Sequence, residues 1–176
     1  MLSRYRFFKR RNLSSLTGLR IGPTESTSTS MEATQMAETE VFLDTAYAIA
    51  LSAPGDSRHE QAVSLARWIE ASSIRLVTTR AVLLEIGNAL AKARYRKAAV
   101  DLLDAIESDE RVQVVALSEV LWGSAYRLYR DRRDKEWGMI DCVSFVVMED
   151  QNITDALTTD EHFQQAGFRA LLRDTP

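Results

Sequence analysis

Short apolar runs alternate with longer amphipathic stretches from residue 40 almost to the end of the chain. The runs have the length and continuity of strands that are buried on both faces. They cover residues 41–43, 74–77, 112–117, 156–158 and 168–172. Between them, apolar residues recur three or four positions apart, which is the helical period. This alternation predicts an α/β fold with a largely parallel sheet.

Polar residues at the start of the amphipathic stretches mark the expected helix boundaries. Ser57, Thr79 and Ser118 stand where N-cap residues are favoured, and Glu60 has the capping-box spacing from Ser57. Helices are predicted at 45–52, after each of these caps, at about 97–108 and at about 140–149. Together with the five strands they predict a three-layer α/β/α sandwich with a mostly parallel central sheet.

Residues 1–39 differ in composition from the rest of the chain. Residues 1–20 carry six basic side chains and no acid, and residues 22–40 are rich in Ser, Thr and Glu without apolar periodicity. We therefore expect a disordered N-terminal extension followed by one domain at 40–176. An organelle transit peptide, a basic tail, and an upstream start codon ahead of Met31 or Met36 are the open alternatives, and we favour the last two.

Composition limits the classes of function. The net charge of −3, taken alone, disfavours a nucleic-acid partner. This average hides an asymmetry between the basic residues 1–20 and residues 41–176, which carry 16 basic and 21 acidic side chains. Cys142 is the single cysteine, which excludes a disulfide framework and a cysteine-rich zinc site and favours a reducing cytoplasm. No window approaches the roughly 20 apolar residues of a membrane span.

Four acids lie where the chain predicts one edge of the sheet. Asp44 follows the first strand and Asp160 follows the fourth, while Glu85 and Asp141 interrupt apolar stretches of predicted helices. Ligands of open parallel sheets bind outside the carboxyl ends of the strands, and helices that follow those strands begin at the same edge. We therefore expect the four carboxylates to converge.

Each aspartate also has a structural interpretation. Asp44 and Asp160 could be helix N-caps, and Asp141 could be a first-turn acid that the helix dipole stabilises. Glu85, in mid-helix between apolar residues, has no such local explanation. Four acids with unrelated structural roles would have no reason to gather at one edge, so their joint position favours the functional interpretation.

Four converging carboxylates without a cation would repel one another, and some would protonate. Mg²⁺ or Mn²⁺ resolves the repulsion because both ions prefer oxygen ligands and retain water. An ion held in this way is suited to phosphodiester hydrolysis. Phosphate-loop, dinucleotide-binding and nucleophile-elbow motifs are absent from the sequence.

Four segments carry a resemblance to a known family. They are Val-Phe-Leu-Asp-Thr, Leu-Leu-Glu-Ile-Gly-Asn-Ala-Leu, Asp-Lys-Glu-Trp-Gly-Met-Ile-Asp-Cys-Val-Ser-Phe, and Ala-Leu-Thr-Thr-Asp-Glu-His-Phe followed by Ala-Gly-Phe. In order and spacing, residues 41–172 resemble the PIN-domain ribonucleases, in particular the toxins of VapBC-type toxin–antitoxin pairs.

The resemblance implies a Mg²⁺- or Mn²⁺-dependent endoribonuclease with Asp44, Glu85, Asp141 and Asp160 as its acidic quartet. It implies that Asp44 and Asp141 bind the ion directly, that Glu85 and Asp160 act through water or orient the nucleophile, and that the Thr158 hydroxyl supports a carboxylate or water. It also implies an RNA substrate, a cognate antitoxin and a homodimer. The alternative is a catalytically silent PIN-like scaffold for RNA or protein assembly.

Other polar and aromatic residues have weaker indications of function. The basic residues at 92–97 and 127–135 could contact RNA, but a solvated surface is the favoured interpretation because acids interleave the second group. Trp137 could stack on a base, although packing that fixes the angle of Asp141 is favoured. His162 could be a general base, which a carboxylate–metal mechanism does not require.

Overall fold

The computed structural model describes residues 40–173, which form seven α-helices and five strands. The strands are β1 (Glu40–Leu43), β2 (Arg75–Thr79), β3 (Val112–Val115), β4 (Asp155–Leu157) and β5 (Arg169–Ala170). The helices are α1 (Thr45–Ser52), α2 (His59–Ala71), α3 (Arg80–Ala89), α4 (Arg96–Ser108), α5 (Glu119–Asp131), α6 (Met139–Asp150) and α7 (Glu161–Gln165). A 3₁₀ turn at Ala93–Tyr95 precedes α4.

All five strands are parallel, in the order β3-β2-β1-β4-β5. This confirms the α/β class and the five-strand sheet, in which no strand of the described part runs antiparallel. The chain starts at the central strand β1, builds outward through β2 and β3, and then returns to the other side of β1 with β4. The carboxyl ends of β1 and β4 are therefore neighbours at the point where the strand order reverses, which is where parallel sheets bind ligands.

The predicted boundaries agree closely with the structure at most elements. Thr79 and Ser118 cap α3 and α5 by accepting the N–H groups of Val82 and Leu121. The cap predicted at Ser57 is wrong, because α2 begins two residues later at His59. The segment 1–39, predicted to be a disordered extension, lies outside the described residues.

An aromatic cluster positions α6, which carries Asp141, and α7, which begins directly after Asp160. Phe145 of α6 makes edge-to-face contacts with Trp137 and with Phe163 of α7, in each case with ring centroids 5.0 Å apart. Phe163 also packs on Phe42 of β1, at 6.0 Å. Such pairs contribute about 0.5–1.5 kcal/mol each beyond burial of area. The cluster therefore ties the starts of α6 and α7 to the central strand.

The helices of the described part are amphipathic, or buried and short. None of the helices within residues 40–173 is both long and apolar enough to cross a lipid bilayer.

Candidate active site

Asp44 and Thr158 meet because their strands are in register. Leu43 of β1 pairs with Leu157 of β4, so the residues that follow them leave the sheet side by side. The hydroxyl of Thr158 donates a hydrogen bond to Oδ2 of Asp44 at 2.7 Å, and both residues are buried. This hydrogen bond is the kind of contact expected if Thr158 supports a carboxylate.

Asp44 is a buried carboxylate that has no basic side chain beside it in residues 40–173. It occupies the N-cap position of α1 but makes no capping hydrogen bond with its side chain. Burial, with the charge of Glu85, raises the pKa of Asp44 from 3.8 to about 6, against the lowering effect of the Thr158 hydroxyl and of the backbone N–H groups of Thr45 and Ala46. Within residues 40–173, no basic side chain contributes to this pKa. A position at the start of α1 therefore does not by itself offset the burial of Asp44.

Glu85 lies in the middle of α3, half-buried and close enough to Asp44 to act on its pKa. The hydroxyl of Thr45, the first residue of α1, donates a hydrogen bond to Oε2 of Glu85. Asp44 and Glu85 are thus a pair of acids from the β1–α1 junction and from α3, each held by a threonine hydroxyl.

Asp141 and Asp160 form a second pair, on which a histidine converges. Nδ1 of His162 lies 3.2 Å from Oδ2 of Asp141 and 3.4 Å from Oδ1 of Asp160. The backbone N–H of Gly138 also donates to Oδ2 of Asp141, at 2.8 Å. Asp160 caps α7 by accepting the backbone N–H of His162 at 2.9 Å, so its predicted capping role is real and coexists with its place in the cluster.

Asp141 also has a raised pKa. Burial is the main cause, and the negative charge of Asp160 adds to it. The Gly138 N–H and His162 act in the opposite direction. Both contacts fall on Oδ2, which leaves Oδ1 of Asp141 for another ligand.

Thr158 joins the two pairs of acids. Its hydroxyl donates to Asp44 and accepts the backbone N–H of Asp160 at 3.0 Å. The structure therefore brings all four predicted acids to the carboxyl edge of the sheet, but as two pairs. Among the described residues, the group of potential metal ligands whose ligand atoms lie within 4.8 Å of one another contains Asp141, Asp160 and His162, and neither Asp44 nor Glu85.

His162 is the residue of this site that sequence reasoning undervalued. Its position two residues after Asp160 places it at the start of α7, where its ring turns back on both carboxylates of the second pair. The one signal in the sequence was this two-residue spacing from an acid. The contact with Asp141, 21 residues away, depends on the tertiary fold.

The donor set fits a hard divalent cation. Carboxylate oxygens are the ligands that Mg²⁺ and Mn²⁺ prefer, and a buried carboxylate such as Asp44 is normally paired with a cation. Asp44, Glu85, Asp141 and Asp160 are the residues that could hold such an ion, directly or through water. Imidazole favours other metals, so His162 fits a supporting role better than that of a ligand.

Comparisons with known proteins point in the same direction. A family model described as "PIN domain" matches residues 41–169. The 23S rRNA-specific endonuclease VapC20 of Mycobacterium tuberculosis, from strain CDC 1551 / Oshkosh and from strain ATCC 25618 / H37Rv, is 30% identical over 128 residues. The match covers 73% of this chain and 95% of the relative.

The crystal structure of M. tuberculosis VapC20, described as a sarcin–ricin loop cleaving toxin, superimposes with a TM-score of 0.63 and 29% identity. It covers 73% of this chain and 95% of the solved one. The family model spans both pairs of acids and all of the described sheet except Glu40 and Ala170. The chain therefore belongs to the PIN domain family.

Proposed function

We propose that this protein is a Mg²⁺- or Mn²⁺-dependent endoribonuclease that acts as the toxin of a toxin–antitoxin pair. The observation that carries the proposal is the buried Asp44, which has no basic partner within the described chain and is linked through Thr158 to a second pair of acids. A fold does not by itself imply an activity. The likeness to VapC20, a toxin that cuts ribosomal RNA, is the second support.

Each polar side chain of the site has its own proposed role. Asp44 and Asp141 hold the ion directly, and Asp141 has an oxygen left for this purpose. Glu85 and Asp160 orient water. The hydroxyl of Thr158 holds the carboxylate of Asp44 in place, because the register of β1 and β4 sets the two residues side by side. When bound, Mg²⁺ or Mn²⁺ would polarise a phosphoryl oxygen and lower the pKa of a coordinated water.

The partners follow from the role of a toxin. We propose an RNA substrate and a cognate antitoxin that covers the acidic edge with a basic side chain. We also propose a homodimer and activity in the cytoplasm. Light scattering of the purified protein, alone and with the product of a small adjacent reading frame, tests the dimer and the antitoxin.

RNA cleavage by the full chain tests the activity. The first substrate is a hairpin with the sarcin–ricin loop sequence, beside an unrelated single-stranded RNA, each with Mn²⁺, with Mg²⁺ or with chelator. We expect cleavage with either metal and none in chelator. Asp141→Asn should abolish cleavage because it removes a charged oxygen ligand.

Asp150→Asn is the matched control, since Asp150 is an exposed acid at the other end of α6. It should cleave like the wild type. Cleavage that persists in chelator or in Asp141→Asn would contradict the proposal. A protein that binds RNA with any metal and never cuts it would favour the silent scaffold instead.

A further inference from the structure

The end of α5 and the loop that leads to α6 line a cleft of about 410 Å³ that none of the four acids of the candidate active site lines. We call it the α5 cleft, and define it by Tyr126, Tyr129, Arg132, Arg133, Lys135 and Trp137. Its volume lies within the range of about 300–1,000 Å³ that is usual for ligand sites. None of the roles proposed above for the acidic edge uses it.

Two tyrosine rings line the α5 cleft. Tyr126 and Tyr129 are about half exposed, at 50% and 47%. Trp122, one turn earlier on α5, stacks on Tyr126 with ring centroids 6.3 Å apart and planes 6° from parallel. Exposed, parallel rings at one-turn spacing form a platform on which nucleic-acid bases can stack.

Positive charge also lines the α5 cleft. The cleft is lined by Arg130, Arg132, Arg133 and Lys135 against a single carboxylate, Glu136. Arg130 and Arg132 are paired with neighbouring aspartates. Arg133 and Lys135 have no salt bridge within residues 40–173, although Lys135 is close enough to Asp134 to help lower the pKa of that carboxyl. Both cations can therefore contact a phosphate. The acids between the basic residues thus neutralise only part of the positive charge of this segment.

Trp137 connects the cleft to the acids. Its ring packs on Phe145 and lies under the guanidinium of Arg132, whose Cζ is 4.6 Å from the ring centroid. Its indole N–H is buried and has no hydrogen-bond partner within the described chain, which is rare for a buried donor. The next residue, Gly138, binds the carboxylate of Asp141. Asp141 is the fourth residue after Trp137, so their Cα atoms are at most about 15 Å apart.

We propose that the α5 cleft binds an unpaired nucleotide of the RNA substrate, with the base on the tyrosines and the phosphate on Arg133 and Lys135. This inference rests on the proposed ribonuclease function and adds a binding site for single-stranded RNA. Proteins that read RNA loops combine aromatic stacking with basic groups in this way. A nucleotide held here leaves the adjoining phosphodiester close to the start of α6.

The test is RNA binding without cleavage, measured by fluorescence anisotropy in chelator with full-length Asp141→Asn protein. The probe is a labelled hairpin with a single-stranded loop, compared with a fully paired duplex of equal length. The cleft variants are Tyr129→Ala and Arg133→Ala. The matched controls are Trp68→Ala and Arg67→Ala, an exposed aromatic and an exposed arginine on α2.

We expect Tyr129→Ala to weaken hairpin binding roughly tenfold with an unchanged salt dependence, because stacking is not ionic. Arg133→Ala should weaken binding and lower the slope of log affinity against log salt by about one. The duplex should bind equally to all variants, and the α2 controls should bind the hairpin like their parent. Circular dichroism melting confirms that each variant is folded.

Equal binding by cleft and control variants would overturn the inference. Unchanged RNA affinity together with a changed oligomeric state in Tyr129→Ala would also overturn it, by identifying the cleft as a protein interface. The two proposals fail separately. Wild-type protein that binds the hairpin through the cleft but cuts nothing with metal contradicts the ribonuclease alone, and cleavage with cleft-independent binding contradicts the cleft alone.

Discussion

The two buried aspartates of the described chain lie at opposite ends of the same sheet. Asp155 begins β4, and Asp44 directly follows β1. They are equally buried, at 9% and 8% exposure. Asp155 is paired across the strands with Arg169, which donates two hydrogen bonds to its two carboxylate oxygens. Asp44 faces a threonine hydroxyl and a second acid.

The difference distinguishes a carboxylate that has a structural partner from one that we propose is functional. A bidentate arginine offsets the cost of burying Asp155, and the amino end of the sheet gains a link between β4 and β5. At the carboxyl end, hydrogen bonds offset only part of the cost of burying the charged form of Asp44. Its pKa is raised as a result. A carboxylate whose pKa is raised by burial at such an edge is typical of functional sites.

The largest expected effect is on cleavage. Asp44→Asn should lower the rate of metal-dependent RNA cleavage roughly 100- to 1,000-fold, the usual loss when one electrostatic contact to the reacting groups is removed. Asp155→Asn makes the same chemical change at the other end of the sheet and should leave the rate within about twofold. Single-turnover kinetics with saturating Mn²⁺ measure both. Equal losses would mean that burial, and not position, sets the effect.

The same two variants should change stability in opposite directions. At pH 7 and without metal, Asp44→Asn should stabilise the protein by up to about 3 kcal/mol, the value that corresponds to a pKa of about 6 in the folded protein against 3.8. Asp155→Asn should destabilise it by about 1 kcal/mol, because it weakens the contact with Arg169, whose side chain is 70% exposed. Urea unfolding measures both.

The pH dependence provides the control. The folded protein holds the Asp44 proton more tightly than the unfolded chain does, so ionisation favours unfolding. Wild-type stability should therefore fall as pH rises from 3.8 to about 6 and then level off, and the raised pKa of Asp141 acts in the same direction. Below pH 3.8 the advantage of Asp44→Asn should vanish. An advantage that persists there would come from packing and not from charge.

Much of this comparison could be predicted from the sequence. Buried strands read as short apolar runs, so the five strands and the edge on which Asp44, Asp141 and Asp160 lie followed from periodicity and from the rule for parallel sheets. The cap at Ser57 was wrong because a single Ser two residues after a Pro-Gly turn does not fix where a helix begins. Thr79 and Ser118 each follow a strand, and there the boundary is sharper.

The pairing within the site could not be predicted. The register of β1 against β4 sets Thr158 on Asp44, and a register between strands 114 residues apart leaves no mark in local sequence. Likewise, His162 reaches Asp141 only because Phe163 and Phe145 pack together. The α5 cleft depends on the conformation of the loop between α5 and α6, in which Arg132 lies on the ring of Trp137. The number of charges along this loop does not predict that conformation.

A smaller effect should distinguish two buried threonines at the carboxyl edge. Thr158→Val removes the hydrogen bond to Asp44, while Thr78→Val removes one to the backbone carbonyl of Leu43 at 2.8 Å. Both variants should lose about 1 kcal/mol of stability. Thr158→Val alone should also slow cleavage roughly tenfold, because Asp44 loses the contact that orients it. Equal cleavage by the two variants would show that the Thr158–Asp44 contact serves only the fold.

The smallest effect concerns the second pair of acids. His162→Ala should cost about 0.5–1 kcal/mol of stability without metal, because Asp141 and Asp160 then face each other without the imidazole. Mn²⁺ should recover most of that loss, since the ion takes over the role of the ring, and His162→Asn should lose less because its amide still donates. The melting temperatures with and without Mn²⁺ measure this recovery.

His59→Ala is the control. The ring of His59 contacts the carbonyl of Ala50, so Mn²⁺ should recover none of the stability that this variant loses. If Mn²⁺ raised the melting temperatures of both variants equally, the imidazole would have no part in holding the carboxylates together.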